Sequence, residues 1–221
     1  KRQVLSRPDG LVWEGLLNST IITVTSVAIA MLISAMFAFA LWRSSSTIQN
    51  VTYGILLAGL ILPTAIILVP VFKVLQVLGL ANSMPGLILF MVAYYVPFGT
   101  FVFRAFLTTV PRELVDAASV DGAGAFTTFF RIVFPLMRPA TASVIVIIAT
   151  WVWNDFLNPL ILLGPLSGTT ITVGLYRSVG QYAVNFGELF AFMMAASLPI
   201  IVLYILLQRQ FVRGLTTGAA K

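Results

Sequence analysis

The amino-acid sequence predicts an all-α protein, a polytopic bundle of transmembrane helices. Of its 221 residues 59% are hydrophobic and only 9% are charged, whereas an ordinary globular domain has about 25% charged residues. Apolar runs long enough to cross a hydrocarbon core of about 30 Å recur along the chain. Short polar connectors separate the runs, and one polar stretch, residues 111–139, is long enough to fold by itself.

Five apolar runs are predicted to span the membrane. They comprise residues 16–42, 51–78, 86–107, 140–163 and 188–211. A run that forms a helix satisfies its backbone hydrogen bonds internally, which the interior of a bilayer requires.

Proline positions predict which spans are irregular, because proline removes a helical hydrogen bond and clashes with the preceding turn. Pro63 and Pro70 predict that the second span is kinked or interrupted, and Pro97 lies in the middle of the third. Asn158 and Pro159 predict a break in the fourth span. Such a break frees backbone carbonyls of the kind that line transport sites.

The remaining segments complete the predicted domain organisation. Residues 1–15 form an extracytoplasmic N-terminal segment, residues 16–212 form the transmembrane domain, and residues 213–221 form a cytoplasmic C-terminal tail. Residues 165–187 are rich in Gly, Thr and Ser, and we interpret them as a loop that dips back toward the membrane.

Basic residues predict the orientation, because cytoplasmic connectors carry an excess of Lys and Arg. If residues 111–139 are cytoplasmic, eight of the 13 basic residues lie inside and five outside. This orientation places residues 1–15 outside, although they contain three basic residues and do not resemble a signal peptide. We therefore expect a further transmembrane helix to precede residue 1.

Composition excludes several function classes. The chain has no Cys and no His, so it lacks thiolate nucleophiles, imidazole bases and the commonest zinc ligands. Its net charge of +6 is scattered among apolar runs, whereas nucleic-acid binding needs clustered basic residues. No GxxxxGK[ST] phosphate-binding loop is present.

The polar stretch begins with a predicted short helix. Pro111 suits the first turn, and Glu113 there faces the positive end of the helix dipole. Leu114, Ala117 and Ala118 follow at helical spacing and predict a narrow face of small apolar groups that lets another backbone approach closely. We interpret this face as a candidate docking surface.

A turn and a second helix are predicted to follow. Asp121 and Gly122 tolerate a left-handed backbone, so the first helix is expected to end near Gly122. The apolar residues of the second helix recur at i, i+3, i+4 and i+7, a stripe expected to lie against the membrane helices until Pro135 breaks the pattern. They are Phe126, Phe129, Phe130 and Val133.

Asp155 is the acidic residue that lies clearly within a predicted span. A charged side chain there has a high free-energy cost if it faces lipid. One interpretation is a polar substrate pathway that contains Trp151, Asn154 and Asp155, in which Trp151 and Trp153 offer flat faces to a sugar ring. The alternative is that Asp155 caps a helix break, with Arg177 as a possible partner, and that the tryptophans are interfacial anchors. The sequence favours neither of these two interpretations of Asp155.

The polar stretch resembles a known motif. Asp116-Ala117-Ala118, then Gly122, Ile132 and Pro135, have the spacing of the EAA motif of membrane subunits of binding-protein-dependent ABC importers. Aspartate stands where the family usually has glutamate, and Phe134 where it usually has leucine. Further short segments of the sequence resemble those of the carbohydrate-uptake branch of this family, in particular of the second permease of maltose-type importers. They are Leu17-Asn18-Ser19, Phe103-Arg104-Ala105-Phe106, Asp121-Gly122-Ala123, Trp153-Asn154-Asp155 and Gly214-Leu215-Thr216.

The resemblance implies a type I ABC importer permease fold and a sugar import function. In that family, helices corresponding to residues 111–135 dock on a cytoplasmic ATPase subunit and couple ATP-driven closure to inward and outward switching. The implied coupling residues are Glu113, Asp116, Ala117, Ala118, Asp121 and Gly122.

The implied partners are a second permease, two ATP-binding subunits and an extracytoplasmic solute-binding protein in a bacterial inner membrane. ATP and Mg²⁺ would be held by the ATPase subunits, so this chain itself would bind no cofactor and would not be an enzyme. The solute-binding protein is expected to fix the sugar preference.

Other interpretations follow from the residues alone. A short amphipathic helix between spans can lie flat in the headgroups without any partner. A secondary transporter would use Asp155 as an intramembrane coupling site, although such proteins normally show paired repeats. A membrane-embedded enzyme is a third class, and it would have few groups for acid-base chemistry. Within the importer class, a disaccharide, an oligosaccharide and a polyol phosphate all remain open as substrates.

Overall fold

A computed structural model describes residues 11–43, 46–164, 168–178 and 186–219. Within these ranges every regular element is a helix, as the sequence predicts. The helices are α1 (Leu11–Arg43), α2 (Thr47–Gly59), α3 (Thr64–Val77), α4 (Met84–Leu107), α5 (Glu113–Val120), α6 (Ala125–Leu136), α7 (Arg138–Asn154), α8 (Leu157–Leu162), α9 (Ile171–Ser178) and α10 (Phe186–Ala219).

Among the described residues, three helical stretches are long and apolar enough to cross a membrane by themselves: Val12–Arg43, Met84–Leu107 and Leu189–Leu206. Two bent helix pairs, α2 with α3 and α6 with α7, raise the number to as many as five. Five is also the number that the apolar runs predict. At 33 residues, α1 is about 50 Å long, well beyond the thickness of the hydrocarbon core.

Proline explains one break and is tolerated elsewhere. Pro63 lies at the N-terminal cap of α3 with an extended backbone, so the second predicted span is divided into α2 and α3. Pro70 and Pro97 lie inside α3 and α4. The prediction that Asn158 and Pro159 break the fourth span was wrong in position: the break falls earlier, between α7 and α8, and Pro159 belongs to the first turn of α8, where its missing N–H is harmless.

The first and last described helices extend beyond the predicted spans 16–42 and 188–211. Residues 1–10 lie outside the described part, and α1 begins at Leu11 within the predicted N-terminal segment. The helix α10 continues to Ala219, so the backbone of the predicted tail from residue 213 onward is helical as far as it is described. Most of α10 between Leu198 and Leu206 exposes large apolar side chains.

The described residues form two compact units. The first takes its residues from Lys1–Val27, Leu62–Val92 and Ile148–Ile205. Its core contains Val12, Trp153, Ile171 and Phe192.

The segment that leads into α9 is fixed to α1 in this first unit. The Nδ2 of Asn18 donates to the carbonyl of Thr169 at 3.0 Å, and the backbone N–H of Ile171 donates to the Oγ of Ser19 at 2.9 Å. A Cβ on Gly15 would lie 3.1 Å from the Cα of Ile171, so the two backbones approach closely. The loop predicted at 165–187 therefore contains a packed helix, although residues 165–167 and 179–185 are outside the described part.

The second unit takes its residues from Ala28–Ile61, Ala93–Ile147 and Leu206–Lys221. The Oγ of Ser34 on α1 donates to the carbonyl of Val96 on α4 at 3.0 Å. A Cβ on Gly99 would lie 2.7 Å from the Cβ of Ser34. Small residues therefore allow α1 and α4 to approach closely, as in many membrane helix pairs.

Candidate functional site

Helix α5 ends near Gly122, as the sequence predicts, but Pro111 lies outside the helix and not in its first turn as predicted. It starts at Glu113 and carries Glu113 and Asp116 in its first turn, where carboxylates stabilise the positive end of the helix dipole. At its end the N–H of Ala123 donates to the carbonyl of Ala118 at 2.9 Å and that of Gly122 to Ser119 at 3.1 Å. Gly122 has a φ of +77°. These bonds and this angle form a Schellman termination, which favours glycine.

The two sides of α5 have different neighbours. Val115 and Ala118 are buried against their own chain. On the opposite side four residues at i, i+3, i+4 and i+7 are exposed, and we call them the outer face of α5. The outer face consists of Glu113, Asp116, Ala117 and Val120.

This arrangement revises the predicted docking face. Leu114, Ala117 and Ala118 do not form one outward surface, because burial divides them: Ala118 packs within the chain, whereas Ala117 and Leu114 are exposed. Val120 was missed by the sequence reasoning. It is 88% exposed, and its position seven residues after Glu113 was the signal that could have identified it. Asp121 is exposed and starts the turn.

Helix α6 links this surface to a long span. Its middle, Phe129–Val133, is π-helical between two α-helical ends. Phe129 is buried, and its ring centroid lies 5.5 Å from that of Phe39 on α1. An aromatic contact therefore packs α6 against α1.

The predicted stripe on α6 is only half correct. Phe129 and Val133 are buried, but Phe126 and Phe130 are exposed. The buried pair and the exposed pair are each spaced at i and i+4, so the four predicted residues do not lie on one face of α6. Pro135 does not end the helix, which continues through one more residue.

Asp155 occupies the break between α7 and α8. Its Oδ1 accepts a hydrogen bond from the backbone N–H of Asn158 at 3.2 Å, and its Oδ2 accepts one from the Asn158 side chain. The carbonyl of Asp155 accepts from the Oγ1 of Thr172 on α9 at 2.7 Å. The carboxylate thus stabilises the first turn of α8, and no ion pair between Asp155 and Arg177 is present among the described residues.

The two tryptophans of the fourth span have different environments. Trp153 is 5% exposed and its Nε1 donates to the carbonyl of Ala196 at 2.9 Å. Trp151 is 44% exposed. Asn154 is also exposed, and its side chain donates to the carbonyl of Thr150 at 2.8 Å. Trp151, Asn154 and Asp155 share one side of α7 and its end, because they are spaced at i, i+3 and i+4.

The capping bonds of Asp155 lead to a stability prediction. Asp155→Ala removes the acceptor for the first turn of α8 and is expected to cost about 1 kcal/mol. For a protein of this size the thermal unfolding midpoint in detergent should fall by about 2–4 °C. Asp155→Asn keeps an acceptor oxygen and should lose less than half of that. An equal loss for both variants would show that the charge, and not the capping bond, stabilises the break.

Comparison with known proteins identifies the family of the chain. Residues 30–217 match the family described as "Binding-protein-dependent transport system inner membrane component". The chain is 34% identical to the multiple sugar-binding transport system permease protein MsmG of Streptococcus mutans, over 100% of this chain and 79% of that protein. It is 32% identical to the melibiose/raffinose/stachyose import permease protein MelC of Bacillus subtilis, over 93% of this chain and 75% of that one.

Solved structures show the same fold. A chain of a bacterial ABC transporter involved in the import of the polysaccharide alginate has a TM-score of 0.78 and 21% identity, covering 95% of this chain and 78% of that one. A second structure, of a bacterial alginate ABC transporter in complex with a periplasmic protein bound to alginate pentasaccharide, has a TM-score of 0.70 and 16% identity. It covers 95% of this chain and 79% of its match.

These matches confirm the predicted fold and the predicted location in a membrane. The apolar helices agree with a multi-pass protein of the inner membrane. The family match is to a transport component, and such a component is not itself an enzyme. The chain belongs to the family of inner membrane components of binding-protein-dependent transport systems.

Proposed function

We propose that this chain is a permease subunit of an ATP-driven importer for a sugar, and that α5 and α6 couple it to a cytoplasmic ATPase subunit. The main support for the coupling role is the outer face of α5. Two carboxylates, the small Ala117 and the largely exposed Val120 lie there on one side of a short helix. The opposite side of α5 is buried against the chain. Helix α6 then connects this surface to α1 through Phe129 and Phe39.

The charge of the outer face favours a protein partner over a lipid surface. Helices that lie flat on membranes place large apolar residues on one face and Lys or Arg on the other. The outer face of α5 has Glu113 and Asp116 instead, and anionic headgroups would repel these groups. Ala117, next to Asp116 on this face, leaves room for a partner's backbone, and Val120 offers an apolar contact.

The sugar substrate is proposed from the relatives. Permease proteins of sugar uptake systems are similar to the chain over nearly its full length. We infer a heterodimer with a second permease, two ATP-binding subunits that hold ATP and Mg²⁺, and an extracytoplasmic sugar-binding protein. The secondary-transporter alternative has less support, because the carboxylate of Asp155 is engaged in capping α8.

Trp151 and Asn154 are the residues we propose for the substrate pathway. Both are exposed on the chain, on one side of α7, and an indole ring offers a flat apolar face to a sugar while an amide bonds its hydroxyls. Asp155 lies beside them and positions the helix break.

Trp151→Ala is therefore expected to lower the initial rate of sugar uptake about 3- to 10-fold, because one aromatic contact with the sugar is lost. Uptake is measured with the assembled transporter in proteoliposomes, with labelled sugar and saturating binding protein. The matched control is Trp13→Ala, which removes an exposed tryptophan from the first turn of α1. Equal uptake by the wild type and Trp151→Ala would place the pathway elsewhere.

A further inference from the structure

A polar pocket lies within the second unit, where the ends of several helices meet. It has a volume of about 290 Å³, close to the lower limit of about 300 Å³ for ligand pockets. Trp42 from the last turn of α1, Asn50 from α2 and Thr108 beyond the end of α4 line it. Arg104 and Arg112 complete the lining, and we call this cavity the arginine pocket.

Both guanidinium groups are held in place by neutral partners. The Cζ of Arg104 lies 3.8 Å from the centre of the Tyr53 ring. Arg112 donates from Nη2 to the carbonyl of Trp42 at 3.4 Å, and its Cζ lies 5.7 Å from the Trp42 ring centre. Ring stacking occupies the flat face of a guanidinium and leaves its N–H edge available.

No carboxylate among the described residues forms an ion pair with either arginine. Two positive charges therefore share one small pocket without a counter-ion from the described part of the chain. Arginine is always charged and presents its N–H donors in a fork that fits phosphate oxygens. Asn50 adds an amide to the same lining.

Two aromatic side chains at the pocket are of a type that suits a membrane interface. Tyr53 and Trp42 are aromatic residues of the type that concentrate at membrane interfaces, and both contact the arginines. Basic pockets between transmembrane helices bind phospholipid head groups in other membrane proteins. We propose that Arg104 and Arg112 form a binding site for a phosphate group, supplied by an anionic phospholipid or by free phosphate.

A ligand in the arginine pocket would lie next to the start of α5. Arg112 immediately precedes α5, and its carbonyl accepts hydrogen bonds from Val115 and Asp116 at 2.9 and 3.0 Å. A phosphate group held by Arg112 would fix the start of α5 relative to the end of α1. The ligand would thus set the position from which the outer face of α5 is presented.

The test measures binding by the chain alone, so its result does not depend on any partner subunit. The purified full-length chain in detergent is incubated with equal amounts of phosphatidylglycerol and phosphatidylcholine, and the retained lipids are counted by native mass spectrometry. A parallel sample is dialysed against radiolabelled inorganic phosphate at constant ionic strength. Preferential retention of phosphatidylglycerol identifies a lipid ligand, and bound phosphate without lipid preference identifies the free ion. Both results support the site.

Variants assign the binding to the two arginines. Arg104→Gln with Arg112→Gln is expected to reduce binding of whichever probe is retained by about 25-fold, or about 5-fold for each charge removed. Arg131→Gln removes an exposed arginine from α6 and should leave binding within 2-fold. Arg104→Lys with Arg112→Lys keeps both charges and should retain most of the binding, which separates loss of charge from misfolding.

Three outcomes would overturn the proposal. The first is that the wild type binds neither phosphatidylglycerol in preference to phosphatidylcholine nor inorganic phosphate. The second is that the double Gln variant binds as strongly as the wild type, and the third is that Arg131→Gln loses as much binding as the double Gln variant.

Discussion

Val120→Lys is expected to release the ATPase subunits from the purified transporter. Val120 is 88% exposed on the outer face of α5, and in the proposed complex it would enter the ATPase surface. A buried apolar contact at the centre of an interface contributes about 2 kcal/mol or more, and the substitution also buries an unpaired charge. ATPase affinity should therefore fall by at least about 30-fold.

The measurement is the amount of ATPase retained when the transporter is purified in detergent through a tag on this chain. Val77→Lys is a matched control, because Val77 is 89% exposed at the end of α3 and receives the same new charge. The control should retain as much ATPase as the wild type. Equal retention by Val120→Lys would show that α5 does not dock on the ATPase through its outer face.

Trp153→Ala is expected to give the largest loss of stability of any single substitution considered for this chain. Trp153 is 5% exposed and packs in the core of the first unit with Val12, Ile171 and Phe192. Truncation of a buried tryptophan costs about 3–5 kcal/mol. It also leaves the carbonyl of Ala196 without its indole donor.

Thermal unfolding in detergent measures this effect. The unfolding midpoint of Trp153→Ala should fall by about 6–20 °C. Trp151→Ala, two residues away and 44% exposed, should shift it by less than about 4 °C, because partly exposed positions contribute little. Similar shifts for the two variants would contradict the division between a structural Trp153 and an exposed Trp151.

Apolar runs and prolines predicted most of the helical layout, because a span must be both apolar and long. The boundaries were less predictable. The break after α7 falls at Asp155 and not at Pro159, since a carboxylate that caps the next helix determines where the chain turns, whereas proline is accepted in a first turn. Helix α9 has only eight residues in a segment rich in Gly and Thr, and its packing on Asn18 and Ser19 is a tertiary contact.

Helix α5 and its outer face were predicted in part. The glycine turn after α5 follows from a local rule at Gly122, whereas the helix starts two residues after Pro111, which was predicted to lie in its first turn. Local rules do not give the outward side of an eight-residue helix, because that side depends on which residues the rest of the chain covers. Ala118 is buried and Val120 is exposed for that reason. The π-helical turn at Phe129–Val133 has no local sequence signal, so the register of α6 could not be derived.

Site-specific cross-linking tests the central claim most directly. The chain contains no cysteine, so Val120→Cys gives a single reactive thiol for a photoactivatable maleimide, and Val77→Cys gives its control. We expect that Val120→Cys, in membranes that contain the whole transporter, forms a product with the mass of this chain plus one ATPase subunit, and that Val77→Cys does not. A thiol at position 120 that links only to lipid, or no more to the ATPase than the control, would contradict the coupling role of α5.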